Sequence, residues 1–305
     1  MLSERVEFYS EGELLAGYLR LPNASAEGGY PVIVHGPGWL GLAGAKTYEP
    51  WHEAFTAAGY AVLAFDYRGF GDSSGDKGWV NPFAQIQDIR NAVTFAGATE
   101  RLDHRRIGIF GMGGTGGGNA IIAAATDTRI SCVCVQTVVA DGADWLHRMR
   151  REYEWVAFKE RLALDRAMWV RENTGAIVDP REELMVATPE RRERSPKKEV
   201  DKLVGSEFYL KSADYLLQYR PIDYVARVSP RALLVACVRD DVVTPEEHAV
   251  AIYERAGAPK RLIRQLDTSH YRSYVDNFAA LAGQMVDWYD SHMLDVPIEV
   301  LSADV

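Results

Sequence analysis

The feature that most constrains this chain is a repeated alternation of short, continuously apolar runs with amphipathic stretches of helical period. YPVIVHG at 30–36 reads as a strand buried on both faces, 48–59 as a helix stopped by Gly59, and YAVLAFDYRG at 60–69 as a second buried strand. The pattern repeats with the helix PFAQIQDIRNAVTFAG at 82–97, carrying Pro82 in its first turn, and the strand RRIGIFG at 105–111. A glycine-rich segment then leads into the apolar helix NAIIAAA at 119–125, and ISCVCVQTVV at 130–139 gives a further strand. PRALLVACV at 230–238 and KRLIRQL at 260–266 flank the helix EEHAVAIYERAG at 246–257; a last helix is expected over about 277–292, with a loose tail after Pro297. Strands buried on both faces need helices on both sides, so the alternation predicts an α/β fold with a mostly parallel sheet. VEFYS and LLAGYLRLP, joined across Glu11 and Gly12, read as a hairpin ahead of it.

Between about 141 and 220 the alternation stops, charge rises, and Trp145, Trp155 and Trp169 appear. This stretch reads as an inserted helical lid, which divides the chain into a core of 1–140 and 221–305 and a lid of 141–220. Its charge run TPERRERSPKKEVD at 188–201 reads as a solvated loop or helix face.

Composition narrows the partners. A net charge of −9, from 43 acidic against 34 basic residues, provides no net positive field for a phosphate backbone, so the expected partner is a small molecule and not a nucleic acid. Cys132, Cys134 and Cys237 lie in apolar runs and read as buried reduced thiols. The opening MLSERVEFYSEGELL carries charges where a signal peptide needs an apolar core, and no run of 18 apolar residues follows; a cytoplasmic chain without a membrane partner is expected. Oligomeric state is left open.

In open α/β sheets the working residues sit on loops at the carboxyl ends of strands. Four such loops stand out: His35-Gly36-Pro37-Gly38-Trp39, the run Gly111-Met112-Gly113-Gly114-Thr115-Gly116-Gly117-Gly118, Asp240-Asp241-Val242-Val243-Thr244-Pro245, and Thr268-Ser269-His270-Tyr271. With AVLAFDYRGFGDSSG at 61–75, these parts in this order resemble the α/β-hydrolase superfamily, particularly its bacterial esterase-like members with a helical lid. The resemblance covers roughly 28–140 and 220–292.

The resemblance implies an α/β-hydrolase core whose elbow, G-x-S-x-G or a close variant, carries a nucleophilic serine. Alignment on that elbow puts Gly113 at the nucleophile position, where no oxygen is available to attack a carbonyl. Thr115, two residues on, should point away from the apex. A second departure is Pro37, which has no N–H to give where the family takes an oxyanion donor; Gly114 and Gly38 are the expected replacements. What the resemblance leaves in place is His270 as general base and Asp241 to orient it. A base without a nucleophile suits removal of a proton next to a carbonyl and expulsion of a carboxylate, so elimination is the leading reading, for example acetate loss from an acylated natural-product intermediate. Direct activation of water, an inactivated esterase, isomerisation and cyclisation use the same pair. No metal or organic cofactor is called for.

Two readings come from other classes. Gly111 to Gly116 also matches G-x-G-x-x-G between a strand and a helix, as in NAD(P)-binding oxidoreductases, although about a hundred residues precede it and no acidic residue is clearly placed about twenty positions on. A noncatalytic binding protein is the other. Trp39 and Trp145 are candidate substrate contacts, against simple core packing. His35 is expected to hold the HG loop by hydrogen bonds, and His52, His104, His147, His248 and His292 to be surface or helix residues without metal spacing.

Overall fold

The computed structural model describes residues 2–39, 42–185, 188–189 and 207–293. In chain order the elements are β1 (Leu2–Ser10), β2 (Glu13–Leu21), β3 (Tyr30–Gly36), α1 (Glu49–Ala57), β4 (Ala61–Phe65), α2 (Pro82–Gly97), β5 (Leu102–Met112), α3 (Gly114–Thr126) and β6 (Ile130–Gln136). Then come α4 (Gly142–Arg148), α5 (Glu152–Glu172), β7 (Ile177–Val178), a π-helical turn (Pro180–Leu184), β8 (Phe208–Tyr209) and α6 (Lys211–Leu217). After two short 3₁₀ turns the chain closes with β9 (Ala232–Val238), α7 (Glu246–Arg255), β10 (Lys260–Gln265), α8 (Ser273–Asp276) and α9 (Phe278–Met293).

The strands form an eight-stranded sheet in the order β1-β2-β4-β3-β5-β6-β9-β10, antiparallel through β2–β4 and parallel from there on. Glu11 and Gly12, at φ of +50° and +93°, make the two-residue turn of the opening hairpin, a geometry that matches the twist of the paired strands. α2 starts where Asn81 accepts the N–H groups of Phe83 and Ala84 and Pro82 supplies the preset φ of a first turn. One face of the sheet packs Leu63, Val93, Ile109 and Ile121 against α2 and α3; the other packs Trp51, Phe55, Phe110, Leu281 and Tyr289 under α1 and α9. Helices on both faces explain why the parallel strands are apolar throughout and not alternating.

Several elements differ from the reading of the sequence. β4 ends at Phe65 and not near Gly69, because Asp66 turns away to accept the N–H groups of Ala43 and Asp72 while Gly69 donates to Ser74. The glycine-rich segment is the first turn of α3 and not a loop before it. Close packing outweighs the poor helix propensity of glycine there: a Cβ on Gly116 would lie 2.7 Å from the Pro37 carbonyl oxygen, and one on Gly117 would lie 3.1 Å from Val138.

The 141–220 segment is largely helical where described, with one addition that periodicity could not show, the two-residue antiparallel pair β7–β8. Phe208 of β8 meets Trp39 and Phe70 of the core, with ring centroids 6.5 and 5.9 Å apart. The charge run at 188–201, apart from 188–189, and the tail after Pro297 lie outside the described residues. No helix among the described residues is long and apolar enough to cross a membrane.

Candidate active site

The strand ends bring together all four expected loops. Asp241, after β9, is buried, and its Oδ1 accepts the N–H groups of Val243 at 2.7 Å and Thr244 at 3.1 Å. Its Oδ2 lies 2.7 Å from Nδ1 of His270, which follows β10 and is also buried; the Thr244 hydroxyl donates to the same oxygen at 3.0 Å. Burial alone would push the Asp241 carboxyl up, but His270 and these N–H groups outweigh it and hold the carboxyl below its ordinary range. The carboxylate therefore fixes the imidazole with its proton on Nδ1, leaving Nε2 as the basic nitrogen.

Nε2 is occupied. The hydroxyl of Tyr274, on α8, lies 2.9 Å from it and 3.1 Å from the Thr137 hydroxyl at the end of β6. Tyr274 escaped the sequence reading, although it lies four residues after His270, the spacing that brings side chains together across one helical turn. Thr244 lies in the Asp240–Pro245 loop, where the sequence alone assigns it no role.

Gly113 forms the turn between β5 and α3 at φ +81° and ψ +163°, a region open essentially to glycine alone. Its N–H donates to the Gln136 carbonyl at 3.1 Å. Gly114 opens α3, where the first N–H groups of a helix have no partner within it. A Cβ on Gly114 would meet the side chains of Val139, Thr244 and Trp145. Thr115 is buried in the first turn of α3, its hydroxyl without a hydrogen-bond partner.

The Gly38 N–H is not free: it donates to the Tyr48 hydroxyl at 3.0 Å. Burial pushes this phenol up, against the opposing effect of the Gly38 bond, so Tyr48 keeps a proton of its own to donate. A Cβ on Gly113 would lie 3.5 Å from the Gly38 Cα, which sets the Tyr48–Gly38 pair directly across from the turn.

His35 holds its loop through Nδ1, 2.8 Å from Nε2 of His52. His52 and His248 are helix residues, but both are buried rather than at the surface. His52 meets Arg20 as well as His35, and His248 accepts the Ala140 N–H at 3.0 Å and faces Asp144 at 2.8 Å. No cluster of three or more His, Cys, Asp or Glu among the described residues could hold a metal.

Trp39 is buried under Phe208, while Trp145, also buried, donates its indole N–H to the Val243 carbonyl at 2.7 Å and so fixes α4 to the Asp241 loop. A cleft of about 970 Å³ runs between α4 and α7, lined by Trp145, Arg148, Asp241 and Val243 among others. Asp241 is on its walls, and His270, Gly113 and Gly38 are not. Trp155 stacks on His147 and Phe158, and Trp169 meets Tyr209 and Lys211, so both pack within the 141–220 segment.

Comparison with known proteins places this geometry. A BD-FAE family model matches residues 19–255. An uncharacterised 31.7 kDa protein of the traX-finO intergenic region of Escherichia coli is 30% identical over 292 residues, 93% of this chain and 97% of that protein. The thiohydrolase aneE of Aspergillus aculeatus is 25% identical over 302 residues, covering 87% of this chain and 86% of its own. Among solved structures, the α/β hydrolase GrgF from Penicillium superposes with a TM-score of 0.80 at 20% identity, over 96% of this chain and 99% of that one. The backbone is that of an α/β-hydrolase.

Proposed function

The chain belongs to the BD-FAE family, and from that premise we propose that it is an enzyme acting on a small carbonyl-containing molecule, with His270 as general base and Asp241 orienting it, and that it eliminates a carboxylate. The observation that carries this reading is a Nδ1–carboxylate bond of 2.7 Å, across from a turn where Gly113 supplies no nucleophile. The base takes the proton α to the carbonyl. The electron pair left behind forms an enolate, whose oxygen is held by the N–H groups at the start of α3 and by the Tyr48 hydroxyl, and the pair then expels the β-carboxylate. The product is an unsaturated carbonyl compound, and the imidazole returns its proton to solvent or to the leaving group. We place the substrate between the core of 1–140 and 221–305 and a lid formed by 141–220, with Trp39 and Trp145 bracing the roof and the acid loop and not acting on the reacting atoms.

The glycines of the elbow support this reading over a dinucleotide site. A Cβ on Gly111 would lie 2.5 Å from the Gly116 carbonyl and one on Gly116 would lie 2.7 Å from the Pro37 carbonyl, so packing between strand, helix and HG loop accounts for them without a pyrophosphate. Hydrolysis is the second reading, favoured by the thiohydrolase name of a relative, with His270 activating water against an ester or thioester.

The test uses a β-acetoxy ketone as probe and follows acetate release together with appearance of the enone. Purified chain should produce both in equal amounts, and H270A should lose about 10²–10⁴-fold of the rate. Acetate appearing with the β-hydroxy ketone, or an H270A variant as fast as the parent, would overturn elimination by this base.

A further inference from the structure

An imidazole that takes up a proton in a buried site turns an acceptor nitrogen into a donor, and the new N–H must find a partner or pay the cost of an unmet buried donor. The surroundings of Nε2 in this chain solve that problem. Tyr274 Oη lies 2.9 Å from Nε2 and 3.1 Å from Thr137 Oγ1, and Thr137 Oγ1 lies 2.7 Å from the Gln136 carbonyl oxygen. With the imidazole neutral, Thr137 donates to Tyr274 and Tyr274 donates to Nε2. With the imidazole charged, every bond reverses: Nε2–H donates to Tyr274, Tyr274 to Thr137, and Thr137 to the Gln136 carbonyl. No heavy atom has to move, and no donor is left over in either state.

The chain ends at the elbow itself, since the same Gln136 carbonyl accepts the Gly113 N–H at 3.1 Å. Thr137 is held there at φ +57°, a costly conformation for a β-branched residue and one that persists where surrounding bonds over-determine it. Its own N–H is tied to the Ala236 carbonyl of β9 at 2.9 Å. Around the imidazole the groups able to ionise are Asp241 on the β9–α7 loop, Tyr271 beside it with ring centroids 4.7 Å apart, and Tyr274. Tyr274 is only partly buried, and through Thr137 and the Gln136 carbonyl its oxygen is linked to the Gly113 N–H.

We propose that Tyr274 is a further catalytic residue, carrying the substrate proton to His270, and that Thr137 positions it as the middle member of a reversible relay ending on the Gln136 carbonyl. The substrate C–H bond breaks as its proton bonds to Tyr274 Oη, and the phenol proton passes to Nε2. The electron pair stays on the substrate as the enolate, and no oxidant or reductant enters. This rests on the general-base reading of His270, and its test separates the two.

Nitrogen NMR of the full chain reads the relay without any substrate. Y274F should move the His270 Nε2 resonance. T137V, which removes a hydroxyl that bonds Tyr274 and not the imidazole, should move it as well, but no longer do so in the Y274F background, and T137S should restore the parent resonance. A T137V spectrum with Nε2 unmoved, or moved equally in both backgrounds, overturns the relay. With the β-acetoxy ketone, Y274F should lower kcat on the order of 10²-fold, and the solvent isotope effect of the parent, carried by the one exchangeable proton that moves from Tyr274 to Nε2, should be lost in the residual activity, where the carbon-bound proton passes straight to the imidazole. Y274F at the parent rate with H270A inactive overturns the relay and leaves the base in place. H270A at the parent rate overturns the base reading as well.

Discussion

The backbone N–H of Gly38 donates to the Tyr48 hydroxyl at 3.0 Å, across the elbow from Gly113. In the proposed elimination the Tyr48 hydroxyl then serves the oxyanion in place of the Gly38 N–H that it engages. Y48F should therefore lower kcat for the β-acetoxy ketone on the order of 10²-fold with little change in KM, as loss of one transition-state donor does. A rate equal to the parent, measured at saturating probe, would mean that Gly38 or Gly114 carries the charge without it.

A serine introduced at Gly113 should not create an esterase. Gly113 leaves room for a side chain, with Gly38 Cα 3.5 Å from a Cβ, but its φ of +81° and ψ of +163° put any other residue under strain. G113S is expected to cost about 1–3 kcal/mol in stability, read from thermal or urea unfolding. Its hydrolysis of an activated acetate ester should remain at background, because Nε2 of His270 is already engaged by Tyr274. A gain of several orders of magnitude over the parent would show that the acyl-transfer machinery is intact and would favour a decayed esterase.

Acid should weaken the fold through the buried pair His35 and His52. Burial first, and Arg20 beside the pair, lower His35 to about 3, and burial with His35 and Arg20 lowers His52 as well. Both are neutral when folded, whereas the unfolded chain protonates them below the ordinary histidine value of 6.5. Their contribution is complete above that value and is lost as pH falls from it toward the folded values, at about 1.4 kcal/mol per pH unit for each histidine. Urea unfolding across this range should show the decline, and H35Q should flatten it. A pH-independent urea midpoint between neutrality and about pH 4.5 would contradict this account.

Much of the fold was legible because it rests on local pattern. The apolar runs at 30–36, 130–139 and 230–238 became β3, β6 and β9, and the Pro82 helix begins and ends where its cap and period place it. The loops carrying Asp241 and His270 followed from strand order, and the structure brings the two side chains to 2.7 Å. What escaped depends on contacts between elements. Tyr48 meets Gly38 only because α1 packs back on the HG loop, and His52 is buried because its face of α1 lies over His35. Tyr274 sits on a helix of four residues, too short for any period to register. The glycines at 114–118 read as a loop because intrinsic propensity argues against a helix, while the Pro37 carbonyl and Val138 leave space for nothing larger at Gly116 and Gly117.

The central claim, that this chain breaks a carbon–oxygen bond by removing a proton and not by attacking a carbonyl, is tested most directly by where solvent oxygen goes. Turnover of the β-acetoxy ketone in water enriched in oxygen-18 should release acetate carrying none of the label, since elimination cleaves the bond between oxygen and the ketone's own carbon. Acetate carrying one labelled oxygen per turnover would show attack by water on the acetyl group, and the chain would be a hydrolase.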